Sequence, residues 1–203
     1  MIKKIFKKNL KTKNNKGMSL IELIVTLLVS GLVMLSAVYL FQISSKGYAS
    51  ATAEQSLQIE AQTVSGVIND LMIEAIDYKF VSGDVYSNPA LFIVVNSDTA
   101  GVYDTVCILY DAATRRLLLH RYENDATIKG KTLVDSQAYI LARISDINTN
   151  YPNDFLAKFV TEFSVTPGEM SASNGLVKVY VSLQIDDSGN KFIKNINISL
   201  RNK

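Results

Sequence analysis

A lysine-rich leader meets a long apolar segment at Lys16-Gly17-Met18-Ser19-Leu20-Ile21-Glu22-Leu23-Ile24. Seven lysines and no acid lie in residues 1–17, and Glu22 is the only residue from Met18 to Ile43 that is charged at neutral pH. A hydrocarbon core about 30 Å thick requires roughly 20 helical residues, so the apolar segment is long enough to span a membrane. Because excess Lys and Arg mark the cytoplasmic side, the sequence predicts a single-pass protein with its amino terminus inside and residues from 44 onward outside.

The order of these segments differs from that of an ordinary secretory signal. Such a signal has an apolar region of about 7–15 residues with its cleavage site after it. Here the apolar run is longer, and the candidate site, Gly17-Met18, precedes it. Cleavage there would leave the hydrophobic helix attached to the mature protein.

Glu22 is unusual because a carboxylate within a membrane helix costs on the order of 2.5–3.5 kcal/mol on insertion scales. An intramembrane acid is therefore expected to have a function and a partner; the alternative is a tolerated charge at the interface. Cleavage would expose the α-amino group of Met18, a cation one helical turn away. In a bundle, that amine could neutralise Glu22 of a neighbouring subunit and set the axial register, as buried polar residues do in coiled coils.

The same segment resembles the prepilin motif of type IV pilins and pseudopilins, in which a membrane peptidase cleaves after the glycine and methylates the new amino terminus. The resemblance implies that Gly17 is the cleavage residue, Met18 the N-methylated terminus and Glu22 the assembly carboxylate. Phenylalanine most often follows the cut in that family, and methionine stands there in this chain. The partners implied are prepilin peptidase, other pilin or pseudopilin subunits, an inner-membrane assembly platform and membrane lipid.

Composition limits the partners of the mature chain. Removing residues 1–17 leaves 14 Lys and Arg against 19 Asp and Glu, a formal charge of −5. This balance argues against binding nucleic acid by phosphate neutralisation, and no nucleic-acid partner is inferred. The single cysteine, Cys107, allows no intrachain disulfide and is interpreted as a small buried hydrophobe.

Helical periodicity continues beyond the membrane segment. Apolar residues recur at steps of four and three at Leu57, Ala61, Val64, Ile68, Leu71 and Ala75. No proline interrupts residues 18–78, so the sequence predicts one helix of roughly 60 residues, with a possible bend near Gly47.

The remainder of the chain predicts β-strands. Candidate strands are 91–95, 105–110 and 117–122 (joined as a hairpin), a segment around Phe159–Val165, 177–185 and 192–200. The clearest alternation is apolar on one side only, which is typical of an antiparallel sheet with one wet face. The predicted fold is α+β and type IV pilin-like, with a long amino-terminal helix covering the dry face of the sheet.

Four segments follow from this interpretation. Residues 1–17 are a cytoplasmic leader that is cleaved, and residues 18–43 are the transmembrane and assembly half of the helix. Residues 44–78 are its amphipathic half and form one globular domain with the sheet of residues 79–203, outside the membrane.

Candidate chemistry is sparse. His120 is the only histidine, which excludes His-cluster metal sites, and it is interpreted as a residue on the sheet surface. Asp186 and Asp187 could supply oxygen ligands to Ca²⁺, but a turn explains the same residues without a metal. There is no phosphate-binding loop or dinucleotide fingerprint. The sequence predicts no enzyme, cofactor or metal site.

A second resemblance concerns the exterior domain. The hairpin VCILYDAATRRLLLHRYE (106–123) and the terminal INISLRN (196–202) are similar to minor pilins of the W class and J-type minor pseudopilins. They imply a minor subunit of a type IV pilus-like or type II secretion-like fibre, first in the bacterial cytoplasmic membrane and then extracellular or periplasmic. The alternatives are a competence pseudopilin for DNA uptake and an uncleaved, membrane-anchored binding module.

Overall fold

The computed structural model describes residues 19–83, 86, 88–126, 128, 136–169, 175–185 and 191–200. The leader, Gly17, Met18 and the Asp186–Asp187 turn lie outside the described residues. The elements are α1 (Leu20–Glu74), β1 (Asp77–Val81), β2 (Ala90–Asn96), β3 (Tyr103–Asp111), β4 (Arg116–Tyr122), α2 (Gln137–Asn150), β5 (Phe155–Ala157), β6 (Val160–Thr166), β7 (Leu176–Gln184) and β8 (Lys191–Ser199). The predicted α+β class, a long apolar helix followed by antiparallel sheets, is confirmed.

The chain divides into two compact units, residues 1–48 and residues 49–203. In the first unit, every described residue belongs to α1 or immediately precedes it, and all of them are exposed. The second unit contains the rest of α1, both sheets and α2. α1 is assigned as helix without interruption through Gly47, because a single glycine weakens a helix by only about 1 kcal/mol.

The carboxyl end of α1 differs from the prediction of a helix to residue 78. The Ala75 N–H donates to the Met72 carbonyl at 3.3 Å, and the Ile76 N–H donates to the Val94 carbonyl at 2.8 Å. The backbone therefore leaves the helix for the sheet, and β1 pairs with β2 from Asp77 onward. Helical periodicity in the sequence does not show that strand pairing replaces the helix here, since the hydrogen bonds that end the helix come from a strand elsewhere in the chain.

The buried stripe of α1 is Leu57, Ala61, Val64, Ile68 and Met72. The predicted stripe is confirmed except at one position, where Met72 is buried and Leu71 is only half-buried.

The first sheet has the order β1-β2-β3-β4-β5, and the predicted β3–β4 hairpin is confirmed. One face of its central strands, including Ile93 and Ile108, shares a hydrophobic cluster with the α1 stripe. The other face, including Phe92 and Cys107, packs against Ile144 and its neighbours on α2. The prediction of a wet face is therefore wrong for this sheet, because α2, which the sequence analysis missed, covers it.

The second sheet has the order β6-β7-β8. Val177, Val179, Val181 and Leu183 of β7 are buried in the same cluster as the α1 stripe. Residues of the opposite face are exposed or half-buried, apart from Ser182. One-sided alternation correctly predicts a single wet face here.

Replacing Ile68 with Ala should destabilise the second unit by about 2–5 kcal/mol, because the side chain is fully buried and its loss leaves a cavity in the shared cluster. Chemical denaturation of the full chain in non-ionic detergent, followed by near-ultraviolet circular dichroism of its tyrosines, measures the free energy of unfolding. Ile59→Ala is the matched control, since Ile59 is 55% exposed on the same helix; it should change that free energy by no more than about 0.5 kcal/mol. Equal effects of the two variants would contradict the assigned packing face.

Candidate functional site

The first candidate site is the start of α1, where Glu22 caps its own helix. The Leu23 N–H donates to the Ser19 carbonyl at 3.1 Å, and the Ser19 N–H donates to Glu22 Oε2 at 2.9 Å. Ser19 is thus the N-cap and Glu22 the third helical residue, which is the carboxylate half of a capping box. The sequence analysis missed this role, although Ser-x-x-Glu is its recognised signature.

This hydrogen bond leaves Glu22 able to accept another. A carboxylate has two oxygens with about four lone-pair sites, and the Ser19 N–H uses one site on Oε2. Glu22 is exposed on the helix surface. The same side chain can therefore cap α1 and accept a cationic donor from outside its own helix.

The large apolar side chains of α1 from Leu20 to Ile43 are between 47 and 79% exposed. The described part of the chain thus leaves this surface uncovered. By length and composition the helix can cross a membrane. Apolar surface of this extent requires lipid or other helices to cover it.

Three hydroxyls in this segment bond to their own backbone. Thr26 Oγ1 donates to the Glu22 carbonyl, and Ser30 and Ser36 donate to carbonyls one turn earlier at 3.0 and 2.8 Å. Polar groups in hydrocarbon must be satisfied locally, and these three are. Glu22 is then the group in residues 19–43 whose charge still needs a partner.

The second candidate site lies in the exterior unit, around His120 at the end of β4. The His120 ring stacks on Tyr151, with centroids 3.6 Å apart and planes at 20°. Its Nδ1 lies 3.0 Å from Asp154 Oδ2, and only 17% of its side chain is exposed. The interpretation of His120 as a simple sheet-surface residue is therefore wrong, because Tyr151 and Asp154, which follow α2, return to cover it.

Arg143 of α2 joins the same region. Asp125 Oδ2 accepts hydrogen bonds from the Tyr139 hydroxyl at 2.7 Å and from Arg143 Nη2 at 3.0 Å. The Arg143 guanidinium also lies 3.9 Å from the centre of the Tyr122 ring. The Tyr122 hydroxyl donates to Asp146 Oδ2 at 2.9 Å. These contacts fasten α2 to the end of β4 through charged and aromatic groups that satisfy one another.

The ionisation of this cluster follows from its contacts. Burial, with the hydrogen bond to Asp146 second, raises the pKa of Tyr122. Hydrogen bonds from Asn150 and from Tyr122 lower the pKa of Asp146. The tyrosine is therefore neutral and the aspartate charged at neutral pH.

An open groove of about 500 Å³ is lined by His120, Tyr122, Asp125, Arg143 and Tyr151, among others. Its aromatic faces are stacked against one another or against the guanidinium. No cluster of three His, Cys, Asp or Glu side chains suited to a metal occurs among the residues that the structure describes. The groove is thus lined by charged, hydrogen-bonding and aromatic side chains that already contact one another.

Asp104 is a buried carboxylate beside this groove, with 4% of its side chain exposed. It accepts hydrogen bonds from Arg121 Nε at 2.8 Å and from the Asn124 N–H at 2.9 Å, and Arg121 Nη2 lies 2.6 Å away. Burial by itself would raise the pKa of Asp104, but these hydrogen bonds outweigh it and hold the pKa below the ordinary value of 3.8. Burial likewise raises the pKa of Cys107, which is fully buried as predicted.

Residues 12–38 match the family described as the prokaryotic N-terminal methylation motif. The match contains Gly17, Met18 and Glu22 and much of the apolar segment. It supports a type IV pilin-like chain that is anchored in a membrane by its amino-terminal helix. The chain has no match among curated proteins or among solved structures.

Asp104 should make folding of the exterior unit sensitive to acid. Because its folded pKa is depressed, its contribution is present above the unfolded value and is lost as pH falls through the folded pKa. Asp104→Asn should lower the free energy of unfolding at pH 7 by about 1.5–3 kcal/mol, the typical value of hydrogen bonds to a charged group. This difference from wild type should shrink as pH falls below 3.8.

Denaturation of the full chain in detergent at a series of pH values tests this expectation. Asp98→Asn is the control, since Asp98 is an exposed aspartate on the preceding loop. A wild-type curve parallel to that of Asp104→Asn down to pH 3 would contradict the assignment.

Proposed function

We propose that the chain is a structural subunit, a minor pilin or pseudopilin, of a type IV pilus-like or type II secretion-like fibre. The main support is the overlap of the motif with an exposed apolar helix. The methylation motif at residues 12–38 overlaps the apolar half of α1, which is exposed from Leu20 to Ile43 and carries one acid near its start. A soluble domain cannot leave so much apolar helix surface uncovered. A fibre subunit covers it first with lipid and later with neighbouring subunits.

Processing precedes assembly in this proposal. Prepilin peptidase removes residues 1–17 by cutting after Gly17, and Met18 becomes the N-methylated terminus. Residues 18–43 then form the assembly half of the helix. Residues 44–78 and 79–203 form the exterior domain, and an inner-membrane platform extracts the subunit.

Assembly exchanges lipid for protein around the helix. Since lipid tails are as apolar as leucine, packing and polar pairing rather than the hydrophobic effect drive this association. The Met18 amine of one subunit pairs with Glu22 of the next. The carboxylate can accept it while retaining its Ser19 N–H, because a second oxygen remains available.

The two roles of Glu22 can be separated by substitution. Glu22→Gln keeps an oxygen for the Ser19 N–H but removes the charge, while Glu22→Ala removes both. If the charge sets register between subunits, both variants should enter fibres roughly tenfold less than wild type. The measurement is the amount of subunit in sheared fibres relative to the amount in membranes.

Glu54→Gln is the matched control, because Glu54 is an exposed glutamate further along α1. It should assemble like wild type. Normal recruitment of Glu22→Gln into fibres, together with loss of recruitment of Glu22→Ala, would indicate that Glu22 acts only as a helix cap and that its charge does not contribute to assembly.

The cleavage residue is tested by Gly17→Leu, which should leave the precursor uncut because a bulky side chain replaces the glycine at the proposed scissile bond. Mass spectrometry of the membrane-bound protein should then retain residues 1–17. Gly31→Leu is the control, since an added side chain at Gly31 has open space, and it should be cut normally. A mature mass from Gly17→Leu would argue against this site.

A second candidate is an uncleaved, membrane-anchored binding module, which the polar groove beside His120 and Arg143 favours. The mass of the amino-terminal peptide of the native protein distinguishes the two. An intact lysine-rich leader supports the binding module, and a methylated Met18 supports the fibre subunit. A role in DNA uptake shares the fibre architecture, but the mature charge of −5 gives no direct site for nucleic acid.

A further inference from the structure

The two sheets of the exterior unit have four edges, and three of them are short, irregular or covered over part of their length. β1 is flanked by a short segment, because the Phe80 N–H donates to the Gly168 carbonyl at 2.6 Å and Lys79 bridges to Glu169. β5 is three residues long, and its pairing with β4 contains a register shift. Shortness, irregularity and covering are the usual means by which proteins block edge-to-edge pairing.

The β6 edge is protected in a similar way by the β3–β4 hairpin. The Val160 N–H donates to the Arg115 carbonyl at 2.9 Å, and the Tyr110 hydroxyl donates to the Thr161 carbonyl at 3.1 Å. A register shift between Val160 and Glu162 interrupts this strand as well. The first two residues of β6 are therefore covered by the hairpin, and the strand is irregular at that end.

β8 differs from the other edges. It pairs with β7 over nine consecutive residues without a register shift, and within the described residues no strand lies on its other side. It contains no proline and no acidic residue, and its charges, Lys191 and Lys194, lie in its first half. Asn195–Ser199 is thus a regular, uncharged edge of the kind that accepts another strand.

The register shows which backbone groups face outward. The Leu200 N–H donates to the Gly175 carbonyl at 2.9 Å, and Leu200 continues the β7–β8 pairing directly opposite Gly175. In an antiparallel pair, alternate residues exchange hydrogen bonds with the same neighbour. The even-numbered residues of β8 therefore bond to β7, and Ile193, Asn195, Asn197 and Ser199 direct their N–H and C=O groups away from it.

The core holds this edge in place. Ile196 and Ile198 are buried in the cluster shared with α1, whereas the four outward-bonding residues are exposed. An added strand would thus meet a template that is already extended, so little ordering of β8 would oppose binding.

The charge near this edge indicates the kind of segment that fits. β8 contains Lys191 and Lys194 and no acid, whereas residues 49–203 as a whole contain 13 Lys and Arg against 18 Asp and Glu. β7 adds Lys178 on the exposed face and has no acid. A basic strand on an acidic protein favours an acidic partner.

We propose that the outer edge of β8 binds an extended, acidic, alternately apolar segment of another protein as an added strand. Main-chain hydrogen bonds to Asn195, Asn197 and Ser199 supply affinity, and the nearby lysines select the sign of charge. A second copy of this chain fits less well, because two β8 edges would bring basic residues together. The proposal concerns the exterior unit and holds whether or not the chain forms fibres.

The test uses the full chain in non-ionic detergent and two labelled peptides of about ten residues, enough to match β8. One alternates valine with glutamate, and the other alternates valine with lysine. Fluorescence anisotropy should show binding of the glutamate peptide about tenfold tighter than that of the lysine peptide, with the preference decreasing as salt is added.

Asn197→Pro removes an outward N–H that the fold does not use, and proline is tolerated on an edge strand in that position. It should weaken binding of the glutamate peptide about tenfold, whereas Asn197→Ala, which keeps the N–H, should stay within about twofold of wild type. Unchanged near-ultraviolet circular dichroism verifies folding. Should the proline variant not fold, hydrogen exchange of the wild type supplies the test: the peptide should slow exchange at Asn195 and Asn197.

Any one of three results with the peptides would overturn the proposal. They are equal binding of both peptides, undiminished binding by a folded Asn197→Pro variant, and unchanged exchange at Asn195 and Asn197 in the presence of saturating peptide. Self-association of the wild type that Asn197→Pro abolishes would also overturn it, by assigning the edge to a second copy of the chain.

Discussion

A single carboxylate in the apolar half of α1 is the constraint on which the rest depends. The described residues leave the apolar half of α1 uncovered, so it requires lipid or neighbouring helices. Glu22 is satisfied by the Ser19 N–H only in part, because a hydrogen bond from a neutral amide does not cancel its charge. Glu22, which caps the start of α1, thus also limits the helix to surroundings that can neutralise its charge.

The second half of α1 meets a different requirement in the exterior unit. Its stripe from Leu57 to Met72 enters one hydrophobic cluster with both sheets. Neither sheet could bury its inner face with so few strands of its own, and the chain has no disulfide to compensate. The helix is therefore the shared core element of the domain. α2 adds a separate cluster behind the first sheet, sealed at its margin by the Arg143–Asp125 and His120–Asp154 pairs.

Much of the fold was predictable from the sequence, and each exception has a physical cause. Strands β2, β3, β4, β7 and β8 lie where alternation or apolar runs predict them. α2 was missed although Ile140, Ile144 and Ile147 are spaced for one helical face, because its remaining positions are mostly polar and the pattern is short. Helical periodicity assigns Asp77 and Tyr78 of β1 to the helix, because the hydrogen bonds that place them in β1 come from β2, another part of the chain.

The sequence by itself determined the long apolar segment, the methylation motif, most of the buried helix stripe and the one-sided character of β7 and β8. These depend on neighbouring residues, whose periodicity records which side faces water. Only the tertiary structure decided that the first sheet is covered on both faces, that His120 is stacked beneath Tyr151, and that β8 alone among the described edges is regular and open. Each of these properties depends on which distant segment packs against a surface. The residues of that surface do not by themselves show which segment that is.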